Sequence, residues 1–84
     1  MAEDPMILVR YFAGARAAAG CPEEKVTAPT LELVIAAISQ RHGERLTTVL
    51  AASSFLVDGL ACHDPTIALP AGATIDVLPP FAGG

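Results

Sequence analysis

The sequence predicts an α+β fold in which a mixed sheet of about five strands packs one main helix against a single face. Three observations predict it. Leu31, Val34, Ile35 and Ile38 fall at i, i+3, i+4 and i+7, the apolar stripe of an amphipathic helix. Strand-like runs flank that helix on both sides, and a helical crossover within one sheet implies a parallel pair of strands. Asp58-Gly59, set between short apolar runs, is the strongest hairpin signal in the chain.

Met6 to Phe12 (MILVRYF) reads as the first strand, after a loose leader. Alternation places Ile7, Val9 and Tyr11 on the core face and Leu8, Arg10 and Phe12 on the other. Gly14 to Ala19 (GARAAA) is a short alanine-rich helix closed by Gly20. Glu23 to Ala28, after Pro22, fits a short polar edge strand. Thr30 is an N-cap for the main helix, with Glu32 in the first turn, where the dipole favours an acid. Arg41 and His42 occupy its last turn and Gly43 ends it; His42 is read there as a partner of the dipole. A shorter helix spans Glu44 to Ala52 with Leu46, Val49 and Leu50 inward.

Ser54 to Val57 is the next strand, Asp58-Gly59 turns the chain, and Leu60-Ala61-Cys62 returns. Residues 63–72 form a loop before the final strand, Thr74 to Leu78, whose Ile75 and Val77 point inward and Thr74, Asp76 and Leu78 outward. One main helix on one face of such a sheet is the β-grasp architecture. The other face is left to water or to a partner. If the first and last strands are neighbours, Leu8, Phe12 and Leu78 form an exposed apolar patch there, and such patches mark protein interfaces. Leu60, at the hairpin, joins them as an interface candidate.

The final strand runs straight into Pro79-Pro80-Phe81-Ala82-Gly83-Gly84, and no charged side chain follows Asp76. Proline has no N–H for a sheet ladder and fixes φ, so the pair stops the strand and stiffens what comes next. Extended, residues 79–84 reach about 20 Å at roughly 3.1–3.4 Å per residue. A frayed terminus is the usual fate of last residues. It needs no rigid base, however, and a Gly-Gly end arises by chance in roughly 1 chain in 200 at average glycine usage. The sharper reading is a carboxylate on a slim stalk, since two glycines can thread a narrow channel.

Length and composition bound the rest. Eighty-four residues make a single domain, 1–84, with 79–84 as its extended tail. Charged residues are 17% of the chain and net charge is −4, with Lys25 the only lysine. There is no basic patch, so nucleic acid is not an expected partner. The longest uncharged stretch, Leu46 to Val57, is well short of the roughly 18 residues of a membrane span. Acids at Glu3 and Asp4 sit where a signal peptide would carry bases, so a cytoplasmic domain with Cys21 and Cys62 reduced is expected. Cys62-His63-Asp64 invites a nucleophile or metal reading, but adjacent strand side chains point apart and no zinc-like ligand pair occurs. No metal is expected, and Cys21 is read as a structural turn residue.

Val9 to Ala13 with the following Ala-rich turn and Gly20, Arg41-His42-Gly43, Val57-Asp58-Gly59 and above all Val77-Leu78-Pro79-Pro80-Phe81-Ala82-Gly83-Gly84 resemble the ubiquitin-like sulfur carriers. The type most resembled is the small subunit of molybdopterin synthase, over nearly the whole chain from Met6. Pro70-Ala71-Gly72-Ala73, where an acidic turn is common, and the bulky Phe81 depart from the pattern. The resemblance implies a carrier with no catalytic side chains of its own. A ubiquitin-activating-type enzyme would adenylate the Gly84 carboxylate with ATP and magnesium, and sulfur from a persulfide would displace AMP to leave a thiocarboxylate. Pro79, Pro80, Phe81, Ala82 and Gly83 would insert into the large subunit of a heterotetrameric synthase, which passes the sulfur to a pterin precursor. The same chemistry serving thiamin, cysteine or another thio-metabolite is an alternative, and a ubiquitin-like modifier or binding module is another.

Overall fold

The last strand of the chain lies in the middle of the sheet. The computed structural model describes residues 4–80. Its elements are β1 (Met6–Tyr11), α1 (Ala13–Ala19), β2 (Glu23–Thr27), α2 (Leu31–His42), α3 (Glu44–Ala52), β3 (Ser54–Val57), β4 (Leu60–Ala61) and β5 (Thr74–Leu78). The sheet order is β2-β1-β5-β3-β4, with β5 parallel to β1 and every other pair antiparallel. This is the mixed five-stranded β-grasp sheet the sequence predicts, and the parallel pair is the one the helical crossover requires.

Alternation sets the two faces. Ile7, Val9 and Tyr11 of β1 and Ile75 and Val77 of β5 are fully buried. Above them pack Ala15 of α1, Leu31, Val34 and Ile38 of α2, and Leu46 and Leu50 of α3. Helix α2 supplies the long apolar stripe, narrower than the spacing suggests because Ile35 is only half-buried. Gly43 is at once the end of α2 and the N-cap of α3, at φ 86° and ψ −165°, a region only glycine occupies without strain. The two helices therefore fold back over one core. Among the described residues no helix is long and apolar enough to cross a membrane.

Four boundaries differ from the sequence reading, and two of these are the ends of β2 and β4, which stop one residue early at Thr27 and Ala61. Strand β1 stops at Tyr11, because Phe12 leaves the ladder to become the N-cap of α1. Helix α1 begins one residue early, at Ala13, which takes φ 47° although Gly14 stands beside it. The Asp58-Gly59 turn forms as expected, with φ 49° and 84°, the two positive values that a two-residue hairpin of this hand requires. Asp58 also accepts from the Thr74 amide at 2.9 Å, tying the turn to the start of β5.

Candidate functional site

Strand β5 is gripped on both sides, by β1 through Leu8↔Thr74 to Tyr11↔Val77 and by β3 through Ser54↔Leu78 to Val57↔Ile75. Because β1 and β5 run in the same direction, they reach one end of the sheet together. There β1 turns away into α1, while β5 continues as Pro79 and Pro80. Leu78 and Pro79 are half-buried and Pro80 is exposed. Phe81, Ala82, Gly83 and Gly84, the working end of the expected tail, lie outside the described residues.

The uncovered face at this end is held by one ion pair. Arg10 Nε donates to Asp76 Oδ1 at 2.7 Å and Nη2 to Oδ2 at 3.0 Å, a two-pronged bridge across the parallel strands. Asp76 points outward by parity yet is only 7% exposed, since the guanidinium covers it. Its hydrogen bonds and charge hold the Arg10 guanidinium more firmly protonated than usual. The guanidinium also lies 5.8 Å from the centre of the Phe12 ring, a cation–π distance.

The four interface candidates do not form one patch. Phe12 follows Tyr11, the partner of Val77, and so stands level with Leu78 at the root of the tail, both half-buried. Leu8 sits opposite Thr74, roughly 13 Å further down the strand, with the Arg10–Asp76 pair between. Leu60 is 75% exposed but pairs with Val57, whose partner is Ile75, so it points to the helix side beyond the sheet edge. Phe12 and Leu78 therefore pair at the tail root, with Leu8 further along the same uncovered face and Leu60 on the helix side. Leu56, half-buried beside Asp76, also belongs to the uncovered face, placed there by the β3–β5 register.

A second polar cluster lies on the opposite edge. Glu24 of β2 accepts from Tyr11 Oη at 2.5 Å through Oε2 and from Arg41 Nη1 at 2.5 Å through Oε1. His42 Nε2 contacts Oε2, and the Cys21 thiol reaches the same oxygen at 3.9 Å. The Tyr11 and His42 rings meet edge to face with centres 6.1 Å apart. Burial works against the Glu24 carboxylate, but hydrogen bonds from Tyr11, Arg41 and His42 outweigh it and hold the group below its ordinary range. Burial, followed by Glu24, pushes the Tyr11 phenol and the Cys21 thiol up. His42 is thus bound to a carboxylate from another element, more than the dipole partner the sequence suggests. Both cysteines are free thiols. Cys62-His63-Asp64 leads from β4 into a local turn, with Cys62 Sγ donating to the Asp64 carbonyl and Asp64 accepting from the Thr66 amide and hydroxyl.

The model of the ThiS family matches residues 9–84. No curated protein matches the sequence. Among solved structures, a protein assigned as molybdopterin converting factor, subunit 1, from Pyrococcus furiosus shares 26% identity over 92% of this chain and 99% of that chain, with a TM-score of 0.81. The complex of subunits 1 and 2 of molybdopterin-converting factor from Helicobacter pylori gives 25% identity, 94% and 99% coverage, and a TM-score of 0.72. The small archaeal modifier protein 1 of Methanosarcina acetivorans shares the fold at a TM-score of 0.86, with 21% identity over 99% of this chain and 100% of that one.

Proposed function

The chain belongs to the ThiS family of ubiquitin-like sulfur carriers and modifiers, and from that premise we propose that it carries sulfur on Gly84 as the small subunit of a molybdopterin synthase. The observation that carries this reading is the position of the tail root. The central strand β5 delivers Pro79 and Pro80 to the open end of the sheet, so residues 81–84 follow a fixed base. A carboxylate is a poor acyl donor. Adenylation of Gly84 by an activating enzyme, with ATP and magnesium, releases pyrophosphate and installs AMP as a leaving group. The terminal sulfur of a persulfide then displaces AMP to form an acyl disulfide, and a second thiol cleaves its S–S bond, forming a disulfide with the donor cysteine's sulfur and releasing the thiocarboxylate. Glycine at the reacting carbon leaves the approach unhindered, and the partners supply the catalytic side chains. The 26% and 25% likenesses to molybdopterin-converting subunits support the pathway, and the second of those structures is itself a complex of two subunits.

Intact-mass analysis after co-expression with an activating enzyme tests the chemistry. A gain equal to one oxygen-to-sulfur exchange at the C-terminus is expected, followed by its loss when large subunit and pterin precursor are added. A covalent adduct on lysines of other proteins, without the sulfur exchange, would instead assign a modifier.

A further inference from the structure

Cys21, Glu24 and His42 come from three separate places, the turn before β2, β2 itself and the last turn of α2. The Cys21 Sγ, a Glu24 oxygen and a His42 ring nitrogen all lie within 4.8 Å of one another. We propose that these three residues are the protein ligands of a Zn²⁺ site, with water in the fourth position. Bonds of about 2.0–2.3 Å put the ligand atoms of a tetrahedral zinc roughly 3.3–3.8 Å apart. The 3.9 Å between Cys21 Sγ and Glu24 Oε2 is already near that range. The His42 Nε2 contact on the same oxygen opens as the ion enters, and the Cys21 thiol proton leaves to solvent. All three residues are partly exposed, so ion and water have a path in.

The surroundings suit this donor set. Arg41 occupies Oε1, which leaves Oε2 as the oxygen in contact with Cys21 and His42, and Tyr11 Oη also donates to Oε2 and helps hold the carboxylate in place. Thiolate with imidazole selects a borderline-soft ion over calcium or magnesium. The Arg41 charge lowers the affinity, but it sits on the far oxygen. Glu24 is fully satisfied by Tyr11, Arg41 and His42 without any thiol, and at 3.9 Å Cys21 adds little as a hydrogen-bond donor. A metal gives the thiol a role. The ion would clip the β2 edge strand to the end of α2, on the side of the sheet away from β4.

The test is calorimetric titration of the full chain, stripped with chelator, with Zn²⁺, and absorption spectroscopy with Co²⁺. One equivalent of zinc, a raised melting temperature and a thiolate-to-cobalt charge-transfer band are expected. Cys21→Ser keeps the Glu24 hydrogen bonds and should still fold, yet weaken zinc binding roughly tenfold or more and remove the band. His42→Gln should weaken binding likewise, with folding checked by circular dichroism, while Cys62→Ser should match the parent chain. Failure to bind an equivalent, equal affinity in Cys21→Ser, or loss on Cys62→Ser instead would each overturn the site.

Discussion

At Glu24 three side chains hydrogen-bond one carboxylate, and their protons make the pH dependence of stability predictable. The Glu24 carboxyl is held below its ordinary value of 4.5, so its contribution is complete above that value and is lost as pH falls through the folded one. Tyr11 is shifted the other way. Burial and the neighbouring carboxylate favour the neutral phenol, so its contribution is complete below 10.0 and is lost as pH climbs beyond. With chelator present, Tyr11→Phe should cost about 0.5–1.5 kcal/mol at neutral pH, through the lost hydrogen bond. It should also remove part of the alkaline fall in unfolding free energy. Glu24→Gln should flatten the acid limb. Denaturant titrations across pH read both, and an alkaline limb unchanged in Tyr11→Phe would refute the account of the phenol.

At the scale of the element, β1, β5 and α2 carry their own instructions, and two substitutions probe them. Thr30 Oγ1 accepts from the Leu33 amide at 3.3 Å and caps α2, so Thr30→Ala should lower stability by about 1 kcal/mol in a denaturant melt. Phe12→Asp or Leu78→Asp should leave the fold standing, since both residues are only half-buried on the uncovered face. Each should weaken capture of the large subunit at least tenfold in a pull-down or titration, by leaving a charge unpaired in a dry interface. Unchanged affinity in both would remove the tail root from the interface. These elements were legible because their signals are local: the spacing of Leu31, Val34 and Ile38, the cap three residues before Leu33, the Asp58-Gly59 turn. The contacts that organise the faces were not. Arg10 meets Asp76 across 66 positions and Glu24 meets His42 across 18, and such pairings depend on strand register that no window of sequence contains. Alternation correctly put Asp76 outside; burial came from an arginine on a neighbouring strand.

On the scale of the molecule, the buried core and the proposed sulfur delivery fall to different parts of the chain. Among the described residues the buried core ends at Val77, one residue before the tail root. The tail was read from residue types alone, Pro-Pro followed by Gly-Gly, because a free carboxylate needs reach and slenderness more than packing. Deleting Gly84, or appending one residue after it, should therefore shift unfolding free energy by less than about 0.5 kcal/mol. Thiocarboxylate formation should nevertheless fall to background in both variants, since the activated carbonyl is displaced by one residue, about 3.3 Å, from where the partner's active site holds it. Binding to the large subunit, proposed above to use Phe12 and Leu78, should persist. Intact mass, a thermal melt and a pull-down on the same preparations separate the three quantities. A variant that still acquires sulfur would remove the last glycine from the mechanism, and one that melts early would show that the tail belongs to the fold.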